Sequence, residues 1–224
     1  MTPPAAVRHR SPGRRLARRA VLAYSIRNRR RKAGRIAAFI RERGLTSTLF
    51  VGSGGDRNAN ELVLEREIAA VTRIVAACDL YAAMPGGWPY LRADGRALPF
   101  VDGAVDLVLS NAVIEHVGLA ADQQSFVAEH DRVGRAWVIT TPNRWFPVEA
   151  HTFTVFRHWR TAWRDSRREF TRLLSRREFV ALLPPGTTVV GRPWSSTFIA
   201  FSAPRPGPAR DRAGSPGREP AERG

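Results

Sequence analysis

The apolar, β-branched run TSTLFV ends in Gly52-Ser53-Gly54-Gly55. Glycines directly after a strand let backbone approach a ligand closely, and the helix that follows offers unpaired N–H groups. A second apolar run, VTRIVAACDL, brings Asp79 to its end 25 residues after Gly54. A carboxylate there accepts both hydroxyl protons of a ribose; the same position also suits a helix N-cap or a solvated strand end. Asp94 and Gly95 close the shorter run YLRAD. A carboxylate at that point accepts from an adenine amino group, or from its own turn. The dinucleotide fingerprint needs a third glycine at position 57, which is Arg57. That argues against a dehydrogenase.

The elements that must position these residues follow from periodicity. Residues 14–43 read as one or two helices, with Leu22, Ile26, Ala33, Ile36, Ala37 and Ile40 at helical spacing and Gly44 as the C-terminal stop. Strands are expected at TSTLFV, VTRIVAACDL, YLRAD, AVDLVLSNAVI and RAWVITTPN, with helices over 59–70 and DQQSFVAEHDRV. Apolar strands separated by helices or long loops are the pattern of a parallel sheet covered on both faces. Beyond Asn143 the texture changes. Residues 144–174 carry Phe156, Trp159, Trp163, Phe170 and Leu174 at roughly helical spacing, interleaved with Arg. Ser175 and Glu178 have capping-box spacing, which opens a helix that Pro184-Pro185-Gly186 stops. TTVVGRPW and SSTFIAFSA read as a closing pair of strands.

The stretch ADGRALPFVDGAVDLVLSNAVIEHV, together with FVGSGG and VAACDL, resembles the class I S-adenosylmethionine-dependent methyltransferases, in particular their type 11 small-molecule branch. The resemblance covers about residues 36–202. It implies an α/β, doubly wound, mostly parallel seven-stranded sheet with an antiparallel last strand, and S-adenosyl-L-methionine as cofactor. By family pattern Gly52 and Gly54 pass the methionine part, Asp79 holds the ribose hydroxyls and Asp94 the adenine amino group. Asn111, at the end of the fourth strand, lies beside the sulfonium, and Ser53, Leu80 and Gly95 complete the cofactor set. Asp106 is expected to be structural, fixing the start of that strand. Two positions depart from the pattern: Phe50 stands where the family has an acid, and Asp56 where it has a third glycine.

Methyl transfer is an in-line displacement, so the acceptor atom must be held close to the methyl and aligned. A hydroxyl acceptor is helped by a general base. The candidates are His116, after Glu115, and His151, which Glu149 would orient; each follows a strand at the carboxyl edge of the sheet, where ligands bind. His130, on a helix, and His9, in a loose arm, read as surface residues, and His158 is ambiguous. No pair has the spacing of a metal site such as HExxH, so no metal is expected. Segment 144–174 sits where this family varies its acceptor side. Its aromatics either wall a pocket or pack in the core, and its arginines meet either an anionic group or water.

The formal charge of the 224 residues is +16 and is unevenly spread. Residues 1–44 hold 14 basic and 1 acidic group, whereas residues 45–155 are net acidic. Lys32 is the only lysine among 36 basic residues, the pattern of a GC-rich genome. An Arg-rich arm attracts nucleic acid in a salt-dependent way, which keeps an RNA-modifying enzyme or a basic binding module as the alternative. Against it, the fourth strand ends in SNAV rather than the Asn/Asp-Pro-Pro-aromatic turn of amino-methylating nucleic-acid enzymes. Trp and Arg at helical spacing also suit an anionic membrane surface. One cysteine, Cys78, excludes an internal disulfide framework. With no secretory signal and no spanning run, a cytoplasmic protein is expected, peripheral at the membrane if the anionic-surface reading holds. Residues 1–13 read as a disordered basic arm, 14–202 as the domain and 203–224 as a disordered tail.

Overall fold

The computed structural model describes residues 12–53, 62–81, 87–147 and 170–203. A single helix, α1 (Pro12–Arg43), replaces the one or two expected. It stops where Gly44 takes φ +61°, with the Leu45 N–H on the Ile40 carbonyl at 3.0 Å. That is the left-handed closure for which glycine is suited. Next come β1 (Ser47–Val51), α2 (Val63–Ala69), β2 (Arg73–Asp79), β3 (Tyr90–Arg92), β4 (Val105–Asn111), a short 3-10 turn (Ile114–His116), α3 (Ala120–Val133) and β5 (Gly134–Pro142). The chain closes with α4 (Arg176–Ala181), β6 (Thr188–Val190) and β7 (Thr197–Phe201).

The strands form one seven-stranded sheet in the order β3-β2-β1-β4-β5-β7-β6. Strands β1 to β5 are parallel, and β7 runs against both β5 and β6. The expected fold class is therefore observed, including the closing antiparallel pair. Alternation along the strands builds two apolar layers. Leu49, Val51, Val108 and Ile139 pack with Phe126 and Val133 of α3 and Phe179 of α4. Phe50, Leu107, Leu109 and Val138 pack with Ile36 and Ile40 of α1 and Leu64 and Ile68 of α2. Asp106 has the structural role expected of it: its Oδ2 accepts from the Thr46 and Ser47 N–H groups at 2.9 and 3.1 Å and ties β4 to the start of β1. Ser175 and Glu178 form the expected capping box at the start of α4. Residues 170–174 are not helical. They have no regular secondary structure up to Leu174, which forms a bridge with Asn143. No helix among the described residues is long and apolar enough to cross a membrane.

Because α1 enters β1 at the amino edge of the sheet, it runs against the strands and reaches the carboxyl edge. One stripe moors it there at successive turns. Tyr24 stacks on Phe146 with ring centroids 6.3 Å apart, Asn28 donates to Thr197 at 3.2 Å, and the Lys32 ammonium donates to Asn111 at 2.7 Å.

His130 corrects a sequence expectation. It is fully buried rather than at the surface, its Nδ1–H donating to the Phe126 carbonyl at 2.8 Å and its ring 4.2 Å from that of Phe126. Helical position alone gave it a surface reading, but the α3 stripe that holds Phe126 and Val133 faces the sheet. Burial lowers its pKa to about 4. The unfolded chain, with an ordinary imidazole, therefore takes up a proton first. Stability is complete above about pH 6.5 and falls by about 1.4 kcal/mol per pH unit between there and pH 4. Thermal melts across that range should show a flatter profile for His130→Gln; parallel profiles would refute the assignment.

Candidate functional site

The carboxyl edge of the sheet gathers the described candidates. At the end of β1 the Gly52 backbone turns to φ +76° and its N–H donates to the Cys78 carbonyl at 2.8 Å. A Cβ at Gly52 would stand 2.4 Å from the Val113 side chain, so the close approach demanded of this glycine is to the protein's own loop after β4. Ser53 follows, buried at 4% exposure. Gly54 lies outside the described residues.

Asp79 ends β2, half-buried, and its Oδ1 accepts the Leu80 N–H at 2.7 Å. Leu80 itself is exposed. Strand β3 runs alongside, with Asp79 in register with Arg92 and the Ala93 N–H on the Asp79 carbonyl at 2.9 Å. Asp94 thus stands at the strand end next to Asp79. Its carboxylate is engaged by Arg96, whose Nη2 reaches Oδ2 at 2.7 Å and whose N–H reaches Oδ1 at 2.9 Å. The Arg96 side chain holds that carboxyl below the usual range. Arg96 also bridges to Asp122 of α3 at 2.6 Å, so the turn is pinned to that helix. Gly95 has a packing reason: a Cβ there would lie 2.5 Å from the Phe126 ring.

Asn111 closes β4 and is held by buried partners. Its Oδ1 accepts from Lys32 Nζ at 2.7 Å and Thr140 Oγ1 at 2.9 Å, and its Nδ2 donates to Glu65 Oε1 at 3.2 Å. Lys32 and Glu65 are 8% and 1% exposed. Burial lowers the Lys32 ammonium to about 8, against the opposing pull of Glu65. Neither Lys32 nor Glu65 is among the site residues read from the sequence. The signal was present: Lys32 interrupts the apolar stripe of Ala33, Ile36 and Ile40, and Glu65 adjoins the buried Leu64 on α2.

Glu115, fully buried, accepts from Thr141 Oγ1 at 3.2 Å. His116 is half-buried, and its Nδ1 meets the Phe170 carbonyl at 3.0 Å. A carbonyl only accepts, so Nδ1 carries the proton and Nε2 is the basic nitrogen of the neutral ring. His151 and Glu149 lie outside the described residues, as do His9, His158 and most of the aromatic segment.

Residues 49–136 match the family model described as a methyltransferase domain. The chain superposes on CalS10 of Micromonospora echinaspora, an amino pentose methyltransferase solved with S-adenosylmethionine, with a TM-score of 0.52 and 17% identity. That match covers 81% of this chain and 95% of the other. The PH0226 protein of Pyrococcus horikoshii gives a TM-score of 0.50 at 15% identity, covering 75% and 86%. At such identities the likeness is one of fold. No curated protein matches the sequence.

Proposed function

We propose that the chain transfers a methyl group from S-adenosylmethionine to a small-molecule acceptor, a sugar or lipid-linked glycan precursor being the class in view. The observation that carries this reading is the meeting of Asp79 and Asp94 on adjacent strand ends beside the Gly52 turn. The donor chemistry of the cofactor suits that edge. Its ribose hydroxyls, adenine amine and ammonium all donate, and Glu65, Asp79 and Asp94 all accept. When bound, S-adenosylmethionine supplies a methyl activated by the sulfonium.

The chain's own residues then bind, orient and shield. Asp79 holds the sugar. Asn111 is fixed by Lys32, Thr140 and Glu65, so its position costs no reorganisation during transfer. His116 offers Nε2 to an acceptor hydroxyl, a role shared with His151 and its orienting partner Glu149. The SNAV turn after β4 favours an acceptor other than a nucleic-acid amine. The amino pentose acceptor of CalS10 supports a sugar, at the level of fold.

Titration calorimetry with S-adenosylmethionine, followed by an acceptor screen with labelled methyl, tests the reading. Heat with micromolar affinity and label in a small molecule are expected. Absence of heat at millimolar ligand would remove the cofactor. Label in RNA, with binding that weakens steeply as salt rises, would replace the small-molecule acceptor by a nucleic acid.

A further inference from the structure

Among the described residues, one carboxylate oxygen beside Asn111 has no hydrogen-bond donor. Glu65 Oε2 is buried and receives no hydrogen bond, while Oε1 of the same carboxylate accepts from Asn111. A buried carboxylate oxygen without a donor carries a desolvation penalty that folding alone leaves uncompensated. The neighbours are directed elsewhere in this structure. Asn111 gives one amide N–H to Oε1, and the Thr140 hydroxyl proton goes to Asn111. Lys32 acts on Glu65 through space and hydrogen-bonds to Asn111. Nor does the end of β1 provide another acid, since Phe50 packs edge-on against Trp88 with centroids 5.2 Å apart.

The missing partner must be a donor, and a cationic one suits an anion best. Glu65 opens α2, directly after the segment that follows the Gly52 turn, and is tied to the last residue of β4. We infer that Glu65 is the carboxylate that receives the α-ammonium of the cofactor's methionine part, with Lys32 and Asn111 as positioning residues that hold it. This rests on the cofactor reading above and adds α1 to the binding site. The long Arg-rich helix reaches the carboxyl edge with its sole lysine, and that lysine sets the Asn111–Glu65 pair.

Three nucleosides separate this inference from the reading beneath it. S-adenosylmethionine and S-adenosylhomocysteine carry the ammonium; 5′-methylthioadenosine has the same adenosine without it. Glu65→Gln should weaken S-adenosylhomocysteine about tenfold or more, the loss of one charge-assisted contact, and leave methylthioadenosine within about twofold. The unchanged nucleoside also reports that the variant is folded. Lys32→Met should show the same selectivity at smaller amplitude. Equal effects on both ligands, or on neither, would overturn the role of Glu65. In the wild type, S-adenosylhomocysteine with its amine replaced by hydrogen should also bind about tenfold more weakly, and equal binding would overturn the ammonium site without any variant. Failure of the wild type to bind any of the nucleosides would bring down the cofactor reading instead.

Discussion

Asp79→Ala is expected to weaken S-adenosylmethionine, S-adenosylhomocysteine and methylthioadenosine alike, by ~1–3 kcal/mol. All three carry the ribose, whose hydroxyls the proposed function assigns to the carboxylate at the end of β2. The effect should be larger for Ala than for Asn, because the amide retains one acceptor oxygen while losing the charge. The side chain is half-buried, and its Oδ1 accepts the Leu80 N–H. Calorimetry on the same three ligands used for Glu65 gives a crossed pattern: Asp79 variants weaken every nucleoside, Glu65 variants only those with an amino-acid part. Wild-type affinity in Asp79→Ala would mean that β2 does not carry the sugar site.

Local signals explain what the sequence disclosed. Strands β1, β4 and β5 are buried nearly throughout around apolar centres, as strands covered on both faces must be, and their ends brought Asn111 into the candidate site. Ser175 and Glu178 form a cap within one helical turn, so spacing alone revealed it. Asp106 was readable because a strand opening on a carboxylate calls for nearby donors, here from residues 46 and 47.

The remainder depends on tertiary partners. Ile36 and Ile40 of α1 pack on the sheet, whereas its middle is held by Tyr24, Asn28 and Lys32, none of which an apolar pattern detects. Lys32 was set aside as a matter of composition, yet it is the buried cation of the site. His130 looked like a polar residue on a helix, and only the packing of α3 against the sheet shows that it lies in the core. Phe170 and Leu174 fit a helical spacing, but backbone pairing with residue 143 holds the end of that segment extended. Gly95 also has two readings. It was taken into the cofactor set from its place after Asp94, and the Phe126 ring beneath it is by itself a sufficient reason for glycine.

Gly52→Ala tests whether the turn after β1 is shaped by Val113. Two costs are expected. A left-handed backbone burdens any L residue by about 1–2 kcal/mol, and Gly52 sits at φ +76°. A methyl there would also stand 2.4 Å from a Val113 methyl, an overpacking that costs about 1–3 kcal/mol. Chemical denaturation of Gly52→Ala should therefore show a loss of about 2–5 kcal/mol in all. The two parts come apart in a double-mutant cycle. In a Val113→Ala background most of the steric part should disappear, leaving only the residue 113 Cβ at 3.0 Å, and the backbone part should remain, so the cost should fall toward about 1–2 kcal/mol. A cost that does not depend on residue 113 would leave the glycine as a demand of the backbone alone, and a negligible cost in both backgrounds would mean that the turn is not built in this conformation.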